Sequence, residues 1–305
     1  MHAIEVTATG GPEVLKYVDT PRPSPGPGEV LIKAEATFVL GAEIGDTVEA
    51  RDDGVTTLRV GDRVATADAG AAYAEYCITA ADVVALVPDA VTTDVAAAAI
   101  LKGMTAHLLI KSVYPVQDGD TVLLHAGAGG VGLILTQWAT SLGARVITTT
   151  STAEKAQLSR QAGAVDVLDY PDNPQQFGTT IRQLTGGAGV AAVYDGVGES
   201  TFDASLASLA VRGTLVLFGA TSGAVPPVDP QRLNAAGLVY LTRPSRLHFI
   251  RTRDAFTWRT NQLFDAIATG TVNVNVSAHY PLEDAAQAHR DLEGRRTVGS
   301  VVLTP

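Results

Sequence analysis

The run Gly127-Ala128-Gly129-Gly130-Val131-Gly132 spaces three glycines as G-x-G-x-x-G. Alone, that spacing is weak evidence of a site, and a plain packing turn would also use it. Its surroundings are more specific. Thr121-Val122-Leu123-Leu124-His125-Ala126 before it reads as an apolar strand, and Val131 to Ala139 after it reads as a helix. Strand, glycine turn and helix in that order make the phosphate-binding turn of a dinucleotide site. In this reading Gly127 allows the sharp turn, Gly129 lets backbone approach a pyrophosphate, and Gly132 lets helix and strand pack closely. The helix N-terminus adds free N–H groups and a partial positive charge.

The end of the next strand selects the dinucleotide. A site for NAD places Asp or Glu there, about 20 residues past the glycines, to accept from the ribose 2′-hydroxyl. Here the strand ends Thr148-Thr149-Thr150-Ser151-Thr152, with Lys155 one helical turn on. A hydroxyl and an ammonium suit a 2′-phosphate, whose charge a carboxylate would repel. A solvated helix lysine is the plainer account of Lys155 alone. Tyr170, past the following strand, can close over the same phosphate.

Other chemistries find little support. The histidines are His2, His107, His125, His248, His279 and His289, and none pairs closely with another ligand at metal spacing, so no metal residues are expected. Each is read as structural or exposed, with His125 the partial exception because it ends the strand beside the glycine turn. Cys77 is the single cysteine, which excludes an internal disulfide and a four-cysteine zinc lobe. No serine sits in a G-x-S-x-G elbow, and Walker A is absent.

These residues must be positioned by 305 residues of which 46% are hydrophobic and 18% charged, enough for a sizeable core and one or two domains. Lys and Arg number 22 against 32 Asp and Glu, a net charge of −10 that argues against nucleic acid or an anionic membrane surface. The start, Met1-His2-Ala3-Ile4-Glu5, does not read as a signal peptide. The longest Ala/Leu-rich run, Val95 to Ile110, is interrupted by Lys102, Gly103 and His107, so no membrane span is expected and the cytoplasm is the default.

The first third reads as short strands at 3–7, 15–19, 30–36, 63–66 and 74–78, punctuated by Gly and Pro. From about Thr93 five- and six-residue apolar runs alternate with helix-length segments. Strands are expected at 121–125, 145–149, 165–168, 190–194, 214–218 and 238–241. Helices are expected at 131–142, 153–161, 174–184, 201–210 and 261–268. Six such strands fit a doubly wound parallel sheet, whereas a barrel needs eight. The tail carries helical spacing through Leu282, Ala285, Ala286, His289 and Leu292, then a closing strand at 298–303.

Several segments together resemble the zinc-free medium-chain dehydrogenases/reductases. They are Gly10-Gly11-Pro12-Glu13-Val14-Leu15, Pro25-Gly26-Pro27-Gly28-Glu29-Val30 and Val60-Gly61-Asp62-Arg63-Val64. Leu101-Lys102-Gly103-Met104-Thr105-Ala106, His125 through Gly132, Tyr194-Asp195-Gly196-Val197-Gly198 and Leu241-Thr242-Arg243-Pro244 are similar to NADPH:quinone oxidoreductases in particular. The likeness runs nearly end to end. Zinc-dependent relatives carry Gly-His-Glu where this sequence has Gly41-Ala42-Glu43.

The resemblance implies a Rossmann doubly wound sheet, 101–245, inserted in a β-rich GroES-like domain made of 1–100 and 246–305. It implies that Gly130 and Val131 contact the pyrophosphate, that Ser151, Lys155 and Tyr170 hold the 2′-phosphate, and that Phe218, Gly219, Thr242, Arg243 and Pro244 lie along the nicotinamide side. Thr105 is placed near the nicotinamide and Arg295 at a second cofactor contact. The implied reaction moves a hydride from NADPH to a quinone or similar conjugated carbonyl, without metal; the product can take its proton from water, and no catalytic side chain is named. Enone or enoyl-thioester reduction is the rival within enzymes, and non-catalytic NADPH binding the rival outside them. A homodimer is expected through the strand at Leu238-Val239-Tyr240-Leu241, the open edge of the sheet.

One departure stands out. After the strand ending at Thr37 the family continues with a loop and short helix that line the substrate cleft. Here Phe38-Val39-Leu40-Gly41 follows at once, about 20 residues short of the family pattern. Either the chain lacks that wall or a further loop stands between Thr37 and Phe38; the second is expected, with a Cα separation beyond the roughly 3.8 Å of a trans peptide.

Overall fold

The computed structural model describes residues 1–38, 42–294, 296 and 299–305. Its contacts divide the chain into two compact units, Met1–Met104 with Arg251–Pro305, and Thr105–Ile250.

The first unit opens with an antiparallel hairpin, β1 (His2–Val6) on β2 (Leu15–Asp19). There follow β3 (Glu29–Phe38), β4 (Ile44–Arg51), β5 (Arg63–Thr66), β6 (Tyr76–Ala80) and β7 (Ala85–Leu86). The expected strand list lacks β4, because Asp46 and Glu49 break its apolar pattern. The helix α1 (Thr93–Leu108) closes this stretch. It runs on through a wider turn at Leu109–Val113, and together the two are long and apolar enough to cross a membrane by length and composition. Most of this helix is buried inside the protein, as a core helix is, and Lys102 and His107 do not interrupt it.

In the second unit strands and helices alternate. They are β8 (Thr121–Leu124), α2 (Gly130–Ser141), β9 (Arg145–Thr150), α3 (Ala153–Gln161), β10 (Asp166–Asp169) and α4 (Pro174–Leu184). Then come β11 (Val190–Asp195), α5 (Phe202–Ser208), β12 (Leu209–Leu217), α6 (Pro230–Ala235), β13 (Tyr240–Thr242) and α7 (Arg246–Phe249). All five pairings are parallel, in the order β10-β9-β8-β11-β12-β13. Numbered within the unit this is 3-2-1-4-5-6, the Rossmann arrangement, whose order reverses beside β8, where the glycine turn begins. Its core is mostly aliphatic, with Leu123, Ile147, Val193 and Leu215 fully buried and Phe177 and Phe202 beside them.

The chain returns to the first unit with α8 (Arg253–Ala268), β14 (Val276–Pro281), α9 (Ala285–Glu293) and β15 (Ser300–Thr304). The last two strands complete a seven-stranded sheet, β14-β15-β3-β4-β5-β7 with β6 also on β3. Both chain ends thus build the GroES-like unit. Arg253 ties α8 to it by donating to the carbonyls of Ala81, Asp82 and Val84 at 3.0, 3.0 and 2.7 Å.

Thr37 and Phe38 are consecutive residues of β3. Thr37 pairs with Ile44 and Leu303, and Phe38 with Val302, so the strand runs unbroken through the junction where a further loop is expected. Arg295, where a second cofactor contact is expected, lies outside the described residues.

Candidate nucleotide-binding site

The turn after β8 is built differently from its sequence reading. The left-handed residue is Ala126, at φ 59°, and Gly127 is not among the positive-φ residues. Gly127 is required for space instead. A Cβ there would lie 2.5 Å from Thr148 Cβ and 2.8 Å from Ser159 Oγ. The left-handed residue aims the Ala126 carbonyl at the turn, where it accepts from the Gly129 N–H at 2.9 Å. Gly129 then caps α2 with extended backbone and no side-chain cap bond, leaving the first N–H groups of the helix to a ligand. An added Cβ on Gly129 would approach only the Ala126 oxygen, at 3.2 Å, so its outer side is open.

Four of the predicted residues meet at this turn. Ala126, Ala128 and Gly129 share a cavity of about 130 Å³ with Thr150, Ser151, Lys155 and Tyr170. Among the described residues no carboxylate lines it. Lys155 stands in the first turn of α3, whose cap is the Thr152 hydroxyl accepting from the Lys155 N–H at 3.2 Å. An ammonium and a helix N-terminus here both favour an anion. Gly130, Val131 and Gly132 form the first turn of α2 beside it.

The remaining predicted residues fall in other places. Thr242, Arg243 and Pro244 line a second cavity of about 590 Å³ with Tyr240, His248 and Phe249. Arg243 donates to the Leu217 carbonyl at 3.2 Å, which sets it at the end of β12, next to Phe218 and Gly219. Phe218 and Gly219 pack on the loop after β11: a Cβ on Gly219 would lie 2.3 Å from the Gly196 oxygen. Thr105 lies on the last turns of α1. A larger cavity, about 730 Å³, sits in the first unit against the β1–β2 hairpin and contains none of the predicted residues that are described.

Beneath the turn lies a polar layer that the sequence reading does not name. His125 is fully buried, with Nδ1 2.9 Å from Thr149 Oγ1 and Nε2 3.0 Å from Ser205 Oγ. Burial pushes its pKa below the usual histidine value, against the opposing pull of Asp195. Ser205 and Thr201 both donate to Asp195, which is also fully buried. Partners 24 and 80 residues from His125 leave no local signal in the chain. Among the described residues no three His, Cys, Asp or Glu side chains gather as a metal site.

The profile of the zinc-binding dehydrogenase family matches residues 130–264. Quinone oxidoreductase 1 of Escherichia coli K12 is 39% identical, with 99% of each chain covered. That alignment spans 325 positions, 20 more than the 305 residues of this chain. The 2-haloacrylate reductase of a Burkholderia species is 36% identical over 97% of this chain and 96% of its own. A mycobacterial protein solved in complex with NADPH is 63% identical, covers all of both chains and superimposes with a TM-score of 0.95.

Proposed function

The chain belongs to the quinone oxidoreductase family of the medium-chain dehydrogenases/reductases, and we propose that it transfers a hydride from NADPH to a quinone or a similar conjugated carbonyl. One observation carries the cofactor choice: Ser151, Lys155 and Tyr170 share with the glycine turn a cavity that no carboxylate lines among the described residues. NADPH, when bound, supplies the hydride, so the protein's own work is to bind, orient and keep water out.

The residues fit that cofactor. The open side of Gly129 would admit a pyrophosphate, and the uncapped N–H groups of α2 would hydrogen-bond its oxygens. Gly130 and Val131 supply those groups, while Gly127 and Gly132 keep the turn tight. Lys155 and Ser151 read the 2′-phosphate, and Tyr170 flanks it. Phe218, Gly219, Thr105 and the stretch Thr242 to Pro244 serve the nicotinamide end, the 101–245 segment being the nucleotide domain. The reaction is metal-independent, the protein works in the cytoplasm, and it assembles as a homodimer along the exposed edge of β13.

A second reading keeps the same hydride geometry with an activated alkene as acceptor, and the 36% identity to a 2-haloacrylate reductase favours keeping it. An acceptor panel decides. NADPH oxidation is followed with quinones, a 2-haloacrylate and an enoyl thioester, with and without a chelator. Fastest turnover of quinones, unchanged by chelator, is the expected result. Faster alkene reduction selects the second reading. Tight NADPH binding with no acceptor turned over would overturn both.

A further inference from the structure

The polar layer under the glycine turn has a fixed direction. Asp195, at the end of β11, is surrounded by donors. Its Oδ1 accepts from the Val197 and Gly198 N–H groups at 2.9 Å each. The Thr201 hydroxyl lies 2.9 and 2.8 Å from its two oxygens, and Ser205 donates to Oδ2 at 2.7 Å. With four donors converging, Asp195 acts only as an acceptor. The Ser205 hydrogen is thereby committed to Asp195, so the Ser205 oxygen receives the hydrogen bond from His125 Nε2–H. The proton on Nε2 leaves Nδ1 as the acceptor, and the Thr149 hydroxyl must donate to it. All four residues are fully buried.

Each end of this chain holds a different piece of the site. His125 immediately precedes Ala126, the left-handed residue of the turn. Thr149 lies two residues before Ser151, and its carbonyl accepts from the Gly127 N–H at 3.0 Å. Asp195 fixes Val197 and Gly198, while its own carbonyl accepts from Phe218 N–H at 2.9 Å. The ring of His125 also lies against Tyr170 and Phe177, with centroids 6.4 and 6.0 Å away. A phenylalanine would fill that space without needing any polar partner. The polar chain does more than fill it.

We propose that Thr149, His125, Ser205 and Asp195 form a positioning relay that locks the glycine turn, the 2′-phosphate end of β9 and the loop after β11 into one preformed NADPH site. None of the four lines the cavity where the nucleotide is proposed to bind, among the described residues. The relay lowers the ordering cost of binding, because a hydrogen bond of fixed direction tolerates only one arrangement of the three loops. The inference rests on the NADPH reading above.

The test is a direct NADPH titration of the wild type, Thr149→Val, Ser205→Ala, the double variant and Thr149→Ser. Thr149→Val removes one hydroxyl at constant volume, and Thr149→Ser retains it. Each disrupted single variant is expected to raise the Kd for NADPH about tenfold. The double variant should be little worse than either single, since both cut one chain. Thr149→Ser should bind as the wild type does, and kcat at saturating nucleotide should change less than about twofold. Nitrogen NMR of His125 should find the proton on Nε2 in the wild type. Unchanged affinity in Thr149→Val, or single-variant losses that multiply in the double variant, would overturn the relay. If Ser205→Ala does not fold, the Thr149→Val and Thr149→Ser pair decides alone. A wild type that fails to bind NADPH would overturn the cofactor reading instead.

Discussion

Gly132 leaves no room for a side chain beside the carbonyl of Ala126: a Cβ on Gly132 would lie 2.3 Å from that oxygen and 2.8 Å from the Gly127 oxygen. Both atoms are backbone, and the Ala126 oxygen also accepts from the Gly129 N–H, so neither yields as a flexible side chain would. Gly132→Ala is therefore expected to cost about 1–3 kcal/mol of stability, as overpacking does. Gly129→Ala is the contrast. Its added carbon meets one atom at 3.2 Å, but it lines the cavity where the pyrophosphate is proposed to bind. It should melt close to the wild type yet bind NADPH more weakly. Thermal melts and NADPH titrations of the two variants check both halves, and a destabilised Gly129→Ala would contradict the assignment.

Cofactor discrimination should rest on Lys155. Loss of one charge-assisted contact costs about 1.5–3 kcal/mol, so Lys155→Ala should weaken NADPH by roughly one to two decades. NADH lacks the 2′-phosphate and should be nearly unaffected. Parallel titrations with both nucleotides measure this, and equal losses would remove Lys155 from the reader.

The legibility of this fold varied with how local each signal was. The bounds of α3 and α4 could be read from the chain because their caps are local: the Thr152 hydroxyl accepts from Lys155 N–H, and Asn173 does the same for Gln176 ahead of Pro174. The start of α8 was less legible. Its apolar pattern suggests 261, but the Thr252 cap begins it at Arg253. The strand β13 begins at Tyr240 instead of Leu238, which takes a left-handed turn conformation at φ 59°. Within the site, the clustering of Ser151 and Lys155 follows from their closeness to one strand end. The left-handed Ala126 could not be foreseen, since nothing in an alanine announces that conformation. The partners of His125 belong to β9 and α5, and only the sheet order brings them together.

Asp46 gives the stability a pH dependence. It lies in β4 at 2% exposure, with Oδ1 accepting from the Thr47 hydroxyl at 2.7 Å and Oδ2 without a hydrogen-bond partner among the described residues. Burial raises its pKa from 3.8 to about 6. Between those values the folded protein keeps a proton that the unfolded chain has released. Stability from this group is therefore full below about pH 4, falls as the pH rises to about 6, and stays lower above. Asp46→Asn removes the buried charge while keeping an acceptor for Thr47. Urea midpoints at pH 4.5 and 7.5 should show the variant gaining at the higher pH, on the order of 1–3 kcal/mol. A wild type equally stable at both values, with no gain in the variant, would refute the assignment.

The edge of the Rossmann sheet carries the prediction on assembly. The strand β13 ends the order β10-β9-β8-β11-β12-β13, so among the described residues its outer N–H and C=O groups have no strand beside them. Exposed apolar side chains surround that edge: Val211 is 71% exposed, Leu238 59% and Tyr240 56%. An uncharged, unpaired edge of this kind invites another strand, and a two-fold axis lets one short segment cover its own copy. The proposed homodimer pairs β13 with the β13 of a second copy, which places Tyr240 close to the axis. Tyr240→Lys would then set two ammonium groups against each other where two rings had packed, and like charges directly opposite across a strand pair are destabilising. Light scattering at micromolar concentration should find the wild type dimeric and Tyr240→Lys shifted toward monomer. The variant's melting temperature should become dependent on protein concentration over a higher range than the wild type's. A monomeric wild type, or a Tyr240→Lys dimer of undiminished stability, would show that this edge is not the interface.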